Sequence, residues 1–317
     1  MVTAAIFAIT LFLALNAEAV RLRFPNGQQP GEPWAKAIVD KNRSEYLLGN
    51  DVFTAKFVCT GGKLTFAGCE AMNLSASDNL FTIELADGKR FTSSDMRLEM
   101  VTTRPLTPAN NSRRFSEQYS GKAISATFVK DGLTVKWQAV LRSDSHYLRT
   151  EMTISTDADL AMKGITAMNY NVLCDSPESV PSVVGNTRGA VIASDRLFAG
   201  LETPMGVNSV SKGKKRNQHH IEGYWQRGDV LTADEPWQVS AVVGMMVPGQ
   251  ARRSFLFYSE RERAVPWRPM PVYISWYELN IDRNNAKQPD YKGNMTDTQC
   301  LDVINHWYRS LYKKHHI

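Results

Sequence analysis

A chain of 317 residues, 43% apolar and 22% charged, is long enough to bury a large core, and this balance excludes a disordered or fibrous protein. Its 37 Lys and Arg against 32 Asp and Glu give a modest positive charge, which favours solubility and does not point to nucleic acid. Four cysteines are too few for a disulfide-built scaffold.

Residues 1–19 stand apart. Thr3 to Leu15 is almost wholly apolar and is followed by Ala17-Glu18-Ala19, a small-x-small cleavage pattern, so the segment reads as a secretory signal peptide. No Lys or Arg precedes the apolar run, a departure from the usual leader; a buried N-terminal helix is the competing reading. The expected location is outside the cytoplasm: periplasm, cell surface or medium. No later apolar stretch is long enough to span a bilayer, and no Cys follows the cleavage point to take a lipid. Residues 20–45, with the turn-rich Pro25–Pro33, read as an irregular arm.

Residues 46–265 carry short β-branched and aromatic runs separated by Gly61-Gly62, Asp87-Gly88 and Asp131-Gly132 turns. The runs are Asp51–Cys59, Lys63–Phe66, Leu80–Leu85, Ala123–Val129, Leu133–Arg142, His146–Ser155, Ala190–Ala193, Leu197–Leu201, Gln238–Val247 and Arg253–Tyr258. Leu133 to Val140 alternates apolar and polar, the period of a strand with one buried face. So many strands with so little helical spacing predict a mainly β fold, an antiparallel two-sheet supersandwich, with long loops at Glu178–Asn186 and Asn208–Glu222. Cys59 and Cys69 flank the Gly61-Gly62 turn and can pair across a hairpin. Lys212-Gly213-Lys214-Lys215-Arg216 has no interleaved aromatics and reads as a solvated loop rather than a polyanion site.

Residues 266–317 change character. Val272 to Trp276 is a compact apolar strand, and Thr296 to Lys314 a helix whose Cys300, Val303, Ile304, Trp307, Tyr308 and Leu311 recur at steps of mostly three and four, with Thr296 and Asp297 as its N-cap. A strand, a loop and one helix make a half-unit that needs parallel neighbours. The expectation is therefore a linker and the first β/α unit of a truncated barrel, with self-association possible through the uncovered terminal helix.

The segments Arg253–Tyr258, Glu260–Ala264, Pro266–Pro269 and Tyr273–Asn280 together resemble the junction between two domains in alpha-galactosidase-like glycoside hydrolases, and Ser194–Met205 is similar to another segment of the first of those domains. The resemblance implies a galactose-mutarotase-like supersandwich packed on a (β/α)8 barrel, with the two catalytic carboxylates on later barrel strands. A retaining glycosidase needs two carboxyl groups roughly 5 to 5.5 Å apart on rigid elements, and a lone barrel strand with Glu278 and Asp282 near its end cannot flank a bond. No catalytic residue is therefore assigned. The leading expectation is a non-catalytic, carbohydrate-binding or domain-bracing portion of such a hydrolase; the others are a stand-alone carbohydrate-binding module and a mutarotase-like enzyme. The partner implied is a glycan of the alpha-linked galactose or N-acetylgalactosamine type.

The candidate substrate-binding residues are Trp276, Tyr277, Glu278 and Asn280, since aromatic rings stack on sugar faces and carboxylates or amides take hydroxyl hydrogen bonds; packing at the junction is the alternative. Arg196 and Glu202 are candidates for contact with barrel or substrate, or else form an ion pair. Tyr224, Trp225 and Arg227 read as a sugar platform or as core. His146 suits an epimerase-like pocket only with a partner carboxylate and otherwise reads as structural. No His or Cys pattern has metal-ligand spacing and no Gly-rich phosphate loop joins a strand to a helix, so no metal or cofactor is expected.

Overall fold

The computed structural model describes residues 24, 25, 27–264 and 296–316, and these fall in two separate units, on either side of Pro266. In chain order the strands of the first unit are β1 (Trp34–Ile38), β2 (Arg43–Gly49), β3 (Thr54–Thr60), β4 (Lys63–Cys69), β5 (Leu74–Ser77), β6 (Thr82–Leu85), β7 (Arg90–Thr92), β8 (Arg97–Leu106), β9 (Gly121–Lys130), β10 (Leu133–Arg142), β11 (Tyr147–Thr156) and β12 (Leu160–Leu173). They continue as β13 (Ser182–Val184), β14 (Val191–Ala193), β15 (Leu197–Leu201), β16 (Val207–Lys212), β17 (Gln218–Gln226), β18 (Val230–Leu231) and β19 (Trp237–Met245), before helix α1 (Ala251–Glu262).

The strands form two antiparallel sheets, the expected mainly β sandwich. One runs β1-β2-β3-β4-β5-β12-β17-β16, with β6 and β18 also on β12 and β7 on β6; the other runs β13-β14-β15-β19-β11-β10-β9-β8. Part of the segment expected as an arm is thus strand, in β1 and the start of β2. Between the sheets lies one apolar core in which Phe57 of β3 meets Trp137 of β10 edge to face at 5.4 Å and Phe81 meets Phe128 at 5.2 Å. Each such side chain, taken out of water, contributes roughly 1.5–3 kcal/mol before chain entropy is subtracted. The alternation read in β10 holds: Leu133, Val135, Trp137 and Ala139 face the core, while Lys136 and Gln138 face outward.

Four sequence expectations are corrected. Arg253–Tyr258 is helical: Ser254, Phe257 and Arg261 are the buried positions of α1, at three- and four-residue steps, so the contiguous Phe-Leu-Phe-Tyr run mimicked a strand. The stretch Asn208–Glu222 is a hairpin of β16 and β17, since Val210 and Ile221 pair and Ile221 faces the core. The stretch Glu178–Asn186 contains the short edge strand β13. Cys59 and Cys69 are both free, because the hairpin register puts Leu64 opposite Cys59 and Leu74 opposite Cys69.

In the second unit α2 (Asp297–Trp307) continues through a π turn at Tyr308–Tyr312 to His315. Thr296 caps it: its hydroxyl accepts the Gln299 N–H, and Gln299 returns a bond to the Thr296 backbone. Leu301, Ile304, Tyr308 and Tyr312 are exposed, while Cys300, Val303, Trp307 and Leu311 are half-buried. The expected barrel strand at Val272–Trp276 lies outside the described residues, as does the expected leader. Among the described residues no helix is long and apolar enough to cross a membrane.

Candidate functional site: a buried ionic cluster beneath helix α1

The strand β11 sends Leu148, Met152 and Ile154 into the core, so Tyr147, Arg149, Glu151 and Thr153 project from the outer face of the eight-stranded sheet. Charged residues on an outer face ordinarily meet water. Here α1 crosses that face instead, packing Phe255 and Tyr258 against Tyr147, Phe198, Val242 and Met246, and Arg149 is left 5% exposed.

Arg149 is the centre of a network. Its Nε and Nη2 donate to Glu202 Oε2 at 2.8 and 2.6 Å, and its Nη1 donates to Glu151 Oε1 at 2.5 Å. Glu262, at the last turn of α1, has one oxygen 3.7 Å from Arg149 Nε and accepts from Arg114 Nη1 at 3.1 Å, Ser116 Oγ at 3.0 Å and Tyr147 Oη at 2.5 Å. Tyr258, also on α1, donates to Glu202 Oε1 at 2.6 Å. Outward along the sheet, Gln138 donates to Glu151 at 2.6 Å and accepts from Arg104 at 2.5 Å. That outer end opens into a groove of about 360 Å3 lined by Ser125, Lys136, Thr153 and Gln238 among others.

The electrostatics follow from this geometry. Burial pushes the Glu202 carboxyl up, but the Arg149 charge and donors outweigh it and hold the group below the usual carboxylate range. Arg149 loses solvation by burial and is nevertheless held more firmly protonated by Glu202, Glu262 and Glu151. Burial, and then the neighbouring carboxylates, raise the Tyr147 and Tyr258 phenols, which stay protonated as donors. Two guanidiniums, two phenols and the Ser116 hydroxyl therefore surround Glu202 and Glu262, and the firmly held Glu202 carboxylate is not free to lend a proton.

Of the residues singled out in the sequence, Glu202 lies in this cluster. Arg196 does not: it sits before β15, 44% exposed, near Asp195 at 3.7 Å and Asp175 at 3.9 Å, while Glu202 follows the other end of that strand. Trp276, Tyr277, Glu278 and Asn280 lie outside the described residues. The trio Tyr224, Trp225 and Arg227 is split between faces: Trp225 packs on Trp237 at 5.1 Å and Arg227 lies over the Trp237 ring, whereas the Tyr224 hydroxyl is 3.5 Å from Glu84. His146 is fully buried among the rings of Phe24, Tyr147, Phe198 and Phe257, with neither ring nitrogen hydrogen-bonded. Burial, and then the Arg261 charge, lower it to about 3, so it is a neutral packing group with no carboxylate beside it.

The cluster itself, apart from Glu202, was not legible. Arg149 and Glu151 carry the alternation of a solvated strand face, and the helix that covers them was read as a strand. The available signal was the spacing Phe255, Tyr258, Glu262, which matches one helix face. Among the described residues no group of three or more His, Cys, Asp or Glu is placed to hold a metal ion.

No family model and no curated protein matches the chain. Solved structures similar to it do include alpha-galactosidases and other carbohydrate-active enzymes. An alpha-galactosidase from Lactobacillus brevis is 10% identical over 84% of this chain and 47% of its own, with a TM-score of 0.48. A glycoside hydrolase family 36 alpha-galactosidase from Geobacillus stearothermophilus, in complex with 1-deoxygalactonojirimycin, is 12% identical over 77% of this chain and 48% of its own, with a TM-score of 0.43. A heparan sulfate lyase from Pedobacter heparinus is 10% identical over 68% of this chain and 37% of its own, with a TM-score of 0.41. These are distant similarities, and the chain spans less than half the length of each.

Proposed function

We propose that this chain is the sandwich module of an exported protein of the glycoside hydrolase type, that it binds glycan or braces the segment following α1, and that it does not itself break glycosidic bonds. The observation that supports this reading is the clamp: Glu262 and Tyr258 of α1 are tied through Arg149, Glu202 and Tyr147 to the outer sheet face. Such a clamp fixes where the chain leaves the sandwich. It also holds Glu202 ionised against Arg149, whereas a glycosidase acid must hold a proton to give. An aldose-epimerase reading draws no support from His146, which has no acid or base partner.

In this proposal the glycan is of the alpha-linked galactose or N-acetylgalactosamine type, and Trp276, Tyr277, Glu278 and Asn280 form part of its subsite. The purified chain is expected to show no turnover of aryl alpha-galactosides or alpha-N-acetylgalactosaminides. Hydrolysis that disappears in Glu202→Gln would overturn the reading. Affinity electrophoresis in gels containing galactose-bearing polysaccharide checks binding, with Trp276→Ala and Glu278→Gln expected to migrate less retarded than the unaltered chain.

A further inference from the structure

The outer face of the eleven-stranded sheet carries a second polar site. Ser75 on β5 stands opposite Asn171 on β12, Asn171 opposite His220 on β17, and His220 opposite Ser211 on β16, so four adjacent strands present one row of hydroxyl, amide, imidazole and hydroxyl. The row is held in place: Asn171 Nδ2 donates to the Ala76 carbonyl at 2.7 Å, Asn171 Oδ1 lies 3.2 Å from His220 Nδ1, and Glu222 lies 3.7 Å from His220 Nε2. These residues floor a groove of about 590 Å3, in whose lining Lys212, Lys214 and Lys215 stand beside one carboxylate, Asp78.

The basic segment is pinned to that floor. Gln218, 9% exposed, accepts the backbone N–H groups of Lys214 and Lys215 on its Oε1 at 3.1 and 3.4 Å, and its Nε2 donates to Ser75 Oγ at 3.4 Å. Gly213 is needed for this approach, since a Cβ there would fall 2.6 Å from Gln218 Cγ. Two ammonium-bearing residues, Lys214 and Lys215, are thus set by backbone bonds along the edge of a row of polar groups.

We infer that this groove binds an acidic sugar unit, a uronate or a sulfate ester within an oligosaccharide. Lys214 and Lys215 take the anionic group, and the Ser75–Asn171–His220–Ser211 row takes ring hydroxyls. The inference rests on the carbohydrate reading above and adds the charge of the ligand. A nucleic acid fits less well: no Phe, Tyr or Trp ring lines the groove to stack on bases, and Asp78 repels a continuous phosphate chain.

The test is calorimetric titration of the whole chain with four probes: a galacturonate oligosaccharide, a sulfated galacto-oligosaccharide, the neutral galacto-oligosaccharide and a single-stranded oligonucleotide. One or both acidic sugars should bind, weaken with added salt, and bind about tenfold more weakly to a Lys214→Ser, Lys215→Ser double variant, whose changes are at exposed positions. Asn171→Ala should weaken the same sugar. The arm that binds says whether carboxylate or sulfate is recognised. Acidic sugars bound no more tightly than the neutral one, equal binding by the double variant, or oligonucleotide bound as tightly as sugar would each overturn the inference. Neutral sugar bound by both proteins, with neither acidic sugar bound more tightly than it, would sink the groove and leave the carbohydrate reading standing; no sugar bound at all would sink both.

Discussion

At the scale of the residue, what decides the character of this sandwich is which polar groups are sealed inside it. Arg149 balances Glu202 and Glu262, which are nearly sealed from water, together with the more exposed Glu151. Replacing it by Met keeps much of its volume but strands those charges, so Arg149→Met is expected to cost about 3–5 kcal/mol, read as a lowered urea midpoint at unchanged slope. Glu262→Gln keeps an acceptor for Tyr147 and should cost less. His146 gives a prediction of opposite chemistry. Its value is lowered from 6.5 in the unfolded chain to about 3 in the folded one, so the unfolded state binds the extra proton first. The stability it contributes is complete above about pH 6.5 and is lost as pH falls from there toward 3, at up to about 1.4 kcal/mol per pH unit. His146→Phe fits among the same rings and cannot titrate. The difference in unfolding free energy between the two proteins, followed from pH 7.5 to 4.5, should therefore grow in the variant's favour; a difference that stays flat would show that His146 does not titrate with unfolding. The sequence alone favoured a structural role for His146, with no partner identifiable, but the lack of a carboxylate beside it is a fact of tertiary placement.

The strands were largely legible as elements because their physics is local. β10 and β15 have the boundaries read from alternation and turn residues, and β19 is close to them. Helix α1 was not, since a run of four large apolar residues satisfies either period, and only the sheet face beneath it selects the helix. That seat depends on a close approach. Gly244 pairs with Phe198 of β15 and Tyr147 of β11, and a Cβ at Gly244 would fall 2.3 Å from the Phe198 ring. Phe198 in turn meets Phe255 and Tyr258 of α1 at 5.4 and 5.1 Å. Gly244→Ala should thus push Phe198 against the helix and cost roughly 1–3 kcal/mol by overpacking. Faster amide hydrogen exchange confined to residues 251–262, with β10 and β9 still protected, is the expected signature. Uniform loss of protection would mean that α1 unfolds only with the whole sandwich.

At the scale of the whole molecule, the described residues of the second unit present an amphipathic helix whose capping was readable from Thr296 and whose apolar positions divide into two stripes. Cys300, Val303, Trp307 and Leu311, four of the positions marked by sequence periodicity, are half-buried. Leu301, Ile304, Tyr308 and Tyr312 follow one another at three- and four-residue steps and are each about half exposed or more, at 58, 61, 49 and 54%. Sequence periodicity marked Ile304 and Tyr308 as apolar but could not tell which flank would stay open, since that depends on packing beyond the helix itself. A contiguous apolar stripe of this kind promotes association, and two copies laid side by side would cover Leu301 and Ile304 against each other. We therefore expect the protein to self-associate with rising concentration and Ile304→Glu to suppress it, because a carboxylate at the centre of the stripe would have to be desolvated on pairing. The substitution is at an exposed position, so unfolding of the sandwich should be unchanged. Multi-angle light scattering across a concentration series separates the outcomes: a mass that climbs for the unaltered chain and stays monomeric for the variant supports association through α2, whereas the same climb in both places the contact elsewhere on the molecule.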